Sequence, residues 1–299
     1  MRSGFTIVRN GVEFDYPFRE SLLSLAPFVD EIVVAHGDST DSTGEALEAL
    51  RPRLACELRI VDSPWDPAMR KGGFELARQT NVALSHCRHD VCVYLQGDEV
   101  LHDADAEILR RDLATLESDP ELEGLAFGWV HFYGNYSTEV RSRRWYRREV
   151  RALRRSRGLQ SYSDAQGFRI PLEDGRWRKP RVGLSGARVL HYGWVRPPKV
   201  MAKKTASFEK LWGVDETTKT YDPETILPPL PGMRAWPGRH PDVMLERVRG
   251  AGDFDPFARG TPERNREYWK SLTTEWIESA TGWRPGEFRN YEITRDLRG

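Results

Sequence analysis

From Phe5 to Leu116, short apolar runs alternate with segments whose apolar positions recur every three or four residues. The short runs predict strands at Phe5–Val8, Glu31–Ala35, Glu57–Val61 and Val91–Leu95, rich in β-branched residues as for strands covered on both faces. The longer segments predict helices. Phe18, Leu22 and Leu25 follow Pro17, whose missing N–H costs nothing in a first helical turn. Ala46, Leu47 and Leu50 follow Asp41, a candidate N-cap, with Glu45 in the first turn. Phe74, Ala77, Asn81 and Leu84 mark a third helix. Ile108, Leu109, Leu113 and Leu116 mark a fourth, capped by Asp103 or Asp105. Crossovers of this length imply parallel strand pairing with helices on both faces, a doubly wound α/β sheet.

The rhythm then changes. Leu125–Tyr133 reads as a long strand, whose alternation sends Trp129, His131 and Tyr133 one way and Val130 and Phe132 the other. Arg141–Arg157 holds nine arginines, and within it Glu149–Leu153 alternates like a strand with one polar face. Phe168–Ile170 and Arg176–Arg178 flank a hairpin turn at Glu173-Asp174-Gly175. Ala187–Leu190 predicts another short strand, ending at His191-Tyr192-Gly193-Trp194. Met201, Thr205, Phe208 and Trp212 share a helix face. Thr261-Pro262-Glu263 is expected to open a last helix, with Trp269, Leu272 and Trp276 on one face and Gly282 at its end. Two units are expected: 1–200, and a helical C-terminal extension over 201–299 with a proline-rich loop at 221–241.

Composition narrows the classes. The 45 basic and 45 acidic side chains cancel, which argues against bulk attachment to nucleic acid or an anionic membrane. Trp145 and Tyr146 interleave with the arginines as stacking platforms would, but the strand-like alternation favours a solvated face or an acidic-acceptor site over nucleic acid. No apolar run reaches the roughly 20 residues of a membrane span, and no signal-peptide pattern precedes the first strand. Cys56, Cys87 and Cys92 are scattered and read as reduced thiols, so a cytoplasmic location is expected. Neither a Gly-x-Gly-x-x-Gly fingerprint nor a Walker loop is present.

The candidate chemistry centres on the strand Val91–Leu95, which stops at Gln96-Gly97-Asp98-Glu99. Carboxylates there lie at the carboxyl edge of a sheet, where open α/β sheets bind ligands. Three blocks support a family resemblance: Asp30–Val34 followed by Asp38-Ser39-Thr40-Asp41-Ser42-Thr43, Gln79-Thr80-Asn81-Val82-Ala83-Leu84, and Tyr94-Leu95-Gln96-Gly97-Asp98-Glu99-Val100. In order and spacing they resemble the family 2 glycosyltransferases of the GT-A fold, over residues 4–200. The resemblance implies a Rossmann-like, mixed and mostly parallel sheet with helices on both faces, here with the C-terminal helical extension. It implies inverting transfer of a sugar from a nucleotide diphosphate sugar (UDP-, GDP- or dTDP-linked) to a hydroxyl of a glycan or small-molecule acceptor. It also implies a divalent metal, manganese or magnesium, that neutralises the leaving diphosphate.

The resemblance assigns roles residue by residue. Asp98 matches the last Asp of the family's Asp-x-Asp and His191 a late histidine, both as metal ligands. Gln96 stands where the first Asp would be. It faces the same way as Asp98 off an extended chain and offers hydrogen bonds to a ribose or sugar hydroxyl but no charge, with Gly97 between them. Glu99 is expected to turn back toward a helix or an arginine. Val8, Arg9 and Asn10, with Asp38 and Ser39, fall where base and ribose contacts begin. His36-Gly37 before Asp38 departs from the family pattern and leaves the nucleotide open. Asn81 lies in the third-helix block. Arg70 and Lys71, beside Gly72-Gly73, are within reach of a diphosphate. A poor hydroxyl nucleophile needs a carboxylate base. Asp164, after the aromatic strand, lies about where the family places that carboxylate, and the resemblance implies this role for it; it is also the only acid between Glu149 and Glu173, with Asp174 the second choice. Trp129, His131, Tyr133 and Trp194 are candidates for stacking on the acceptor. The C-terminal helices complete the acceptor side or form a homo-oligomer contact. Gln96 also supports two alternatives: a catalytically eroded sugar or nucleotide-sugar binding protein, and a metal-independent transferase.

Overall fold

The structure is a computed structural model that describes residues 1–69, 71–142, 145–213, 220–284 and 286–298, with Glu267 as backbone alone. Arg70, Arg143 and Arg144 lie outside the described residues. The strands are β1 Arg2–Val8, β2 Glu31–His36, β3 Glu57–Asp62, β4 Val91–Tyr94, β5 Glu99–Leu101, β6 Gly124–Tyr133, β7 Asn135–Val140, β8 Arg148–Arg154, β9 Gln160–Ser161, β10 Phe168–Pro171, β11 Trp177–Arg178, β12 Arg181–Trp194, β13 Met233–Ala235 and β14 Glu292–Asp296. The α-helices are α1 Phe18–Leu25, α2 Thr43–Glu48, α3 Phe74–Ser85, α4 Ala106–Ser118, α5 Pro198–Glu209, α6 Leu245–Arg249 and α7 Arg266–Thr281.

The fold is α/β. Among the described residues one mixed sheet of 11 strands runs β13-β7-β6-β8-β4-β1-β2-β3, with β12 beside β6 and both β5 and β14 on β12. β3, β2, β1 and β4 are all parallel, as the strand–helix alternation predicts. β8 then enters antiparallel between β4 and β6. Alternation along β2 shows why both faces are covered. Ile32 and Val34 pack with Leu22, Leu25, Leu47 and Leu113 from α1, α2 and α4. Val33 and Ala35 pack on the other side with Ala83 and Leu84 from α3. Each buried Val, Leu or Ile among these contributes roughly 1.5–3 kcal/mol.

Several local expectations shift. β12 runs through His191 to Trp194 rather than stopping at Leu190, so the histidine is a strand residue. α7 begins at Arg266, because Asn265 caps it by accepting from the Tyr268 N–H at 3.0 Å; Thr261-Pro262-Glu263 lies outside the helix. Gly282 does end α7, in the left-handed conformation with φ 68°. Asp41 precedes the Ser42 cap of α2 and accepts from the Thr43 and Glu13 amides. Asp105 does take the N-cap position of α4, but its side chain makes no capping bond and accepts instead from the Arg188 guanidinium and amide. Residues past 200 are not helical throughout, since β13 extends β7 and β14 pairs in parallel with β12. No helix among the described residues is long and apolar enough to cross a membrane.

Candidate active site

The carboxyl ends of β1 and β4, the end of β12 and one face of α5 enclose a cleft of about 1190 Å³. Asp98 lies at its floor, buried, four residues past β4. Its carbonyl accepts from the Tyr192 amide at 2.8 Å, which ties the turn to β12. Its carboxylate faces three nitrogens. His191 Nε2 is 3.8 Å from Oδ1, while Lys204 Nζ and Arg196 Nη2 are 3.7 and 3.9 Å from Oδ2. Burial pushes the Asp98 pKa up, but the charges of His191, Lys204 and Arg196 outweigh it and hold the group below the usual carboxylate range.

The two cations are built in rather than solvated. Arg196 Nε donates to the Phe14 carbonyl at 2.6 Å and Nη1 to the Gly193 carbonyl, which also accepts from Lys204 Nζ at 2.8 Å. The Tyr16 ring lies 4.4 Å from the Arg196 guanidinium and 5.0 Å from Lys204 Nζ. Arg196 Nη2 is buried without a hydrogen-bond partner. Burial and the neighbouring Arg196 charge lower the Lys204 pKa to about 7, against the pull of Asp98. Arg196 and Lys204 thus share one carboxylate, and while Lys204 is protonated, below about pH 7, the floor carries a surplus of positive charge that suits an anion.

His191 is oriented from behind. His131 Nε2 lies 2.9 Å from the Tyr146 carbonyl, which can only accept, so this nitrogen carries the proton. Burial, then the adjacent His191, lowers the His131 pKa to about 3, so the ring is neutral and Nδ1 is an acceptor. His191 Nδ1, 3.0 Å away, must then donate to it. Burial lowers the His191 pKa; where the ring is neutral, the chain of bonds leaves its lone pair on Nε2, the atom that faces Asp98, and where it is protonated its charge joins those that stabilise the carboxylate. Trp129 stacks on the His191 ring at 5.5 Å and 8° and fixes its plane.

These atoms fit a divalent ion. An oxygen and a nitrogen donor 3.8 Å apart span one ion whose ligand bonds are about 2.1 Å long. Gly193 keeps the approach open, since a Cβ there would overlap His191 Nε2 and come within 2.9 Å of Asp98 Oδ2. The protein share is two donors, because among the described residues no group of three His, Cys, Asp or Glu is placed to hold a metal. Glu99 is spent elsewhere, as expected of it. Both residues are fully buried, and its carboxylate takes two 2.8 Å bonds from Arg151.

Asp164 lines the same cleft, on a tight turn. The residues on either side of it, Ser163 and Ala165, have φ of 55° and 60°, a region that L-residues avoid. The turn packs against Gly73, where a Cβ would lie 2.8 Å from the Asp164 Cβ. In the same cleft Arg9 lies over Trp65 at 5.0 Å and pairs with Asp38 at 3.2 Å, beside Val8, Asn10 and Thr40.

The cleft thus gathers Val8, Arg9, Asn10, Asp38, Gln96, Gly97, Asp98, Asp164, His191 and Trp194. The other sequence candidates do not line it. Ser39 bonds the Asn10 amide and His36. Asn81 is used up by two bonds to the Ser161 backbone. Lys71 is exposed outside the cleft. Trp129 and His131 lie behind His191, and the Tyr133 hydroxyl donates to the Pro228 carbonyl at 2.7 Å. Asp174 is exposed in the hairpin with its carboxylate on Arg176. Sequence reasoning missed Arg196, Lys204, Tyr16 and Trp65. The first two follow the His191 strand end and were legible only as basic residues near it.

A second buried carboxyl lies just under the Asp164 turn. Glu149 Oε1 accepts from Gln166 at 3.3 Å and from Asn290 at 3.0 Å, while Oε2 is buried without a partner. Burial raises its pKa from 4.5 to about 7, only partly opposed by Arg151. Folding thus takes up a proton at this group between those values. Its contribution to stability is present below 4.5 and is lost as the pH rises through about 7. The urea midpoint of Glu149→Gln should fall less than that of the parent chain between acid and neutral pH; equal falls would show that Glu149 ionises normally.

No protein-family model matches the chain, and no curated protein does. Among solved structures it is similar to S. aureus TarS 1-349, with 16% identity, a TM-score of 0.38, and 76% of this chain and 69% of that one covered. The same protein in complex with UDP-GlcNAc gives 15%, 0.39, 76% and 70%. The chain covers 38% of a longer TarS chain. Glucosyl-3-phosphoglycerate synthase from Mycobacterium tuberculosis, in complex with Mn2+, UDP and glucosyl-3-phosphoglycerate, gives 16% and 0.29, with 45% of each chain covered.

Proposed function

We propose that this chain is an inverting glycosyltransferase that moves a sugar from a nucleotide diphosphate sugar to an acceptor hydroxyl. The observation that carries this reading is the pairing of a floor that sets Arg196, Lys204 and His191 about Asp98 with a second carboxylate, Asp164, lining the same cleft. Residues 1–200 supply the donor half. The segment after 200 supplies Lys204 and the Trp212 side of the cleft and completes the acceptor half.

The nucleoside enters along Val8–Asn10, Asp38 and Trp65, and the diphosphate reaches the floor. Arg196 and Lys204 face the charge that grows on the leaving phosphate oxygen as the bond from the sugar C1 breaks. Asp98 holds both cations in place. The acceptor oxygen forms the new bond to C1 from the opposite side, and its proton passes to Asp164. Asp98 and His191 would hold a manganese or magnesium ion, which when bound adds charge neutralisation at the diphosphate. Because the floor carries surplus positive charge while Lys204 is protonated, the ion would bind there with a diphosphate rather than alone.

The test is thermal shift with manganese, with UDP, GDP or dTDP, and with each pair, followed by hydrolysis of the matching sugar donors. The expected result is no shift with manganese alone, a shift with one nucleotide, and a larger one with both. No shift with any nucleotide would sink the transferase reading. Equal shifts with and without manganese would favour the metal-independent reading, in which the two cations neutralise the leaving group unaided.

A further inference from the structure

We infer that Gln96 is a positioning residue that holds the Asp164 turn in its working geometry. The inference rests on the reading of Asp164 as the base. Gln96 Nε2 donates to the Ala165 carbonyl at 3.4 Å, so the side chain bridges the cleft floor to the turn on its wall. A carbonyl only accepts, so the amide orientation is fixed by this partner.

The turn needs such a tie. Two L-residue departures, at Ser163 and Ala165, bracket Asp164, and strained turns persist only where their surroundings over-determine them. Within the turn, the Ala165 amide reaches the Tyr162 carbonyl at 3.2 Å. Beneath it, Arg151 Nη1 reaches the Gln166 carbonyl at 3.4 Å, and the Gln166 side chain is held between Tyr146 and Glu149. Gln96 is the tie from the cleft side. Its own backbone is fixed: the amide donates to Glu99 Oε2 at 3.1 Å, and the carbonyl accepts from Glu99 N–H at 3.0 Å and Ser21 Oγ at 3.2 Å.

The same geometry explains the residue type. A carboxylate at 96 would aim an acceptor at the Ala165 carbonyl and crowd Glu99 and Asp98 with a third negative charge. An amide supplies the donor without the charge. The neutral residue at this place is therefore a gain of a hydrogen bond to the base-bearing turn, and not only the loss of an acid.

Gln96→Leu removes the donor at similar bulk, and Gln96→Glu keeps the length but reverses the bonding. Hydrogen exchange of amides 162–167 reads the tie without reference to activity. For both variants we expect these amides to exchange at least ~3-fold faster than in the parent chain, with exchange elsewhere unchanged, which also reports that each variant folds. With the donor that gives the largest thermal shift, kcat should fall ~10-fold while the donor KM stays within ~2-fold. Unchanged exchange in 162–167 would overturn the inference. So would a raised donor KM with unchanged kcat, which would make Gln96 a donor contact. Should Asp164→Asn keep full kcat, the base reading falls on its own, and faster exchange in Gln96→Leu would still support the tie.

Discussion

Asp98→Asn should lower donor turnover by at least ~100-fold, the loss typical of removing one charged group from a preorganised transition-state site. The side chain is nearly isosteric, so the cause is charge. In the native cleft one carboxylate stands against Arg196 and Lys204, both within 4 Å of Oδ2. Without it the two cations repel each other in a buried place, and the Lys204 pKa, already down to about 7, falls further. On the proposed reading the substitution removes a metal donor and, by lowering the Lys204 pKa, weakens the positive charge offered to the diphosphate. Steady-state hydrolysis of the donor, with calorimetric titration of manganese and nucleotide, checks both. Undiminished hydrolysis would take Asp98 out of the mechanism. The pH profile adds a sign. A Lys204 with a pKa still lower than its native value of about 7 loses its charge at lower pH, so residual turnover in Asp98→Asn should begin to fall at a lower pH than in the parent chain.

Arg151→Met should cost about 3–5 kcal/mol of folding free energy, because it leaves the Glu99 carboxylate buried and unpaired. The guanidinium makes two 2.8 Å bonds to Glu99 and lies between the rings of Tyr94 and Trp129, at 5.2 and 4.7 Å. Glu99→Leu combined with Arg151→Met should recover most of the loss, since removing both charges also removes the desolvation cost. Urea unfolding of the parent chain and the two variants measures this. A loss below ~1 kcal/mol for Arg151→Met would mean that the pair behaves like a surface pair open to water. Arg151 and Glu99 also brace both ends of the Gln96 tie, through the Gln166 carbonyl and the Gln96 amide, so the stable double variant should still turn over slowly.

The sheet was legible because its signal is local. β-branched runs and three-to-four-residue spacing survive in any context, and β1 to β4 formed where the pattern placed them. The inward turn of Glu99 was also foreseeable, since two adjacent acids at a strand end cannot both face one ligand. The cationic floor was not legible. Arg196 meets Phe14 from 182 positions away, and no spacing rule connects the two. Asn81 shows the converse. It sits in a recognisable block, yet its side chain is occupied by the Ser161 backbone, a partner that only the folded chain supplies. The start of α7 was misplaced because Pro262 offers a first-turn signal, while Asn265 offers the stronger one, a side-chain oxygen for the Tyr268 amide.

The strand Glu292–Asp296 runs parallel to the start of β12, and Asn290 just before it is fully buried against Glu149. Synthesis proceeds from one end of the chain, so β12 emerges from the ribosome well before this partner does. Until residues 290–296 follow, the nascent sheet presents a bare row of N–H and C=O groups along Arg181–Leu184, and the carboxyl beneath the Asp164 turn lacks one of its donors. Such an edge is open to pairing with a neighbouring nascent chain on the same message. The yield of native protein should therefore depend on translation pace and holdase supply during this interval, quantities that no property of the finished fold reveals.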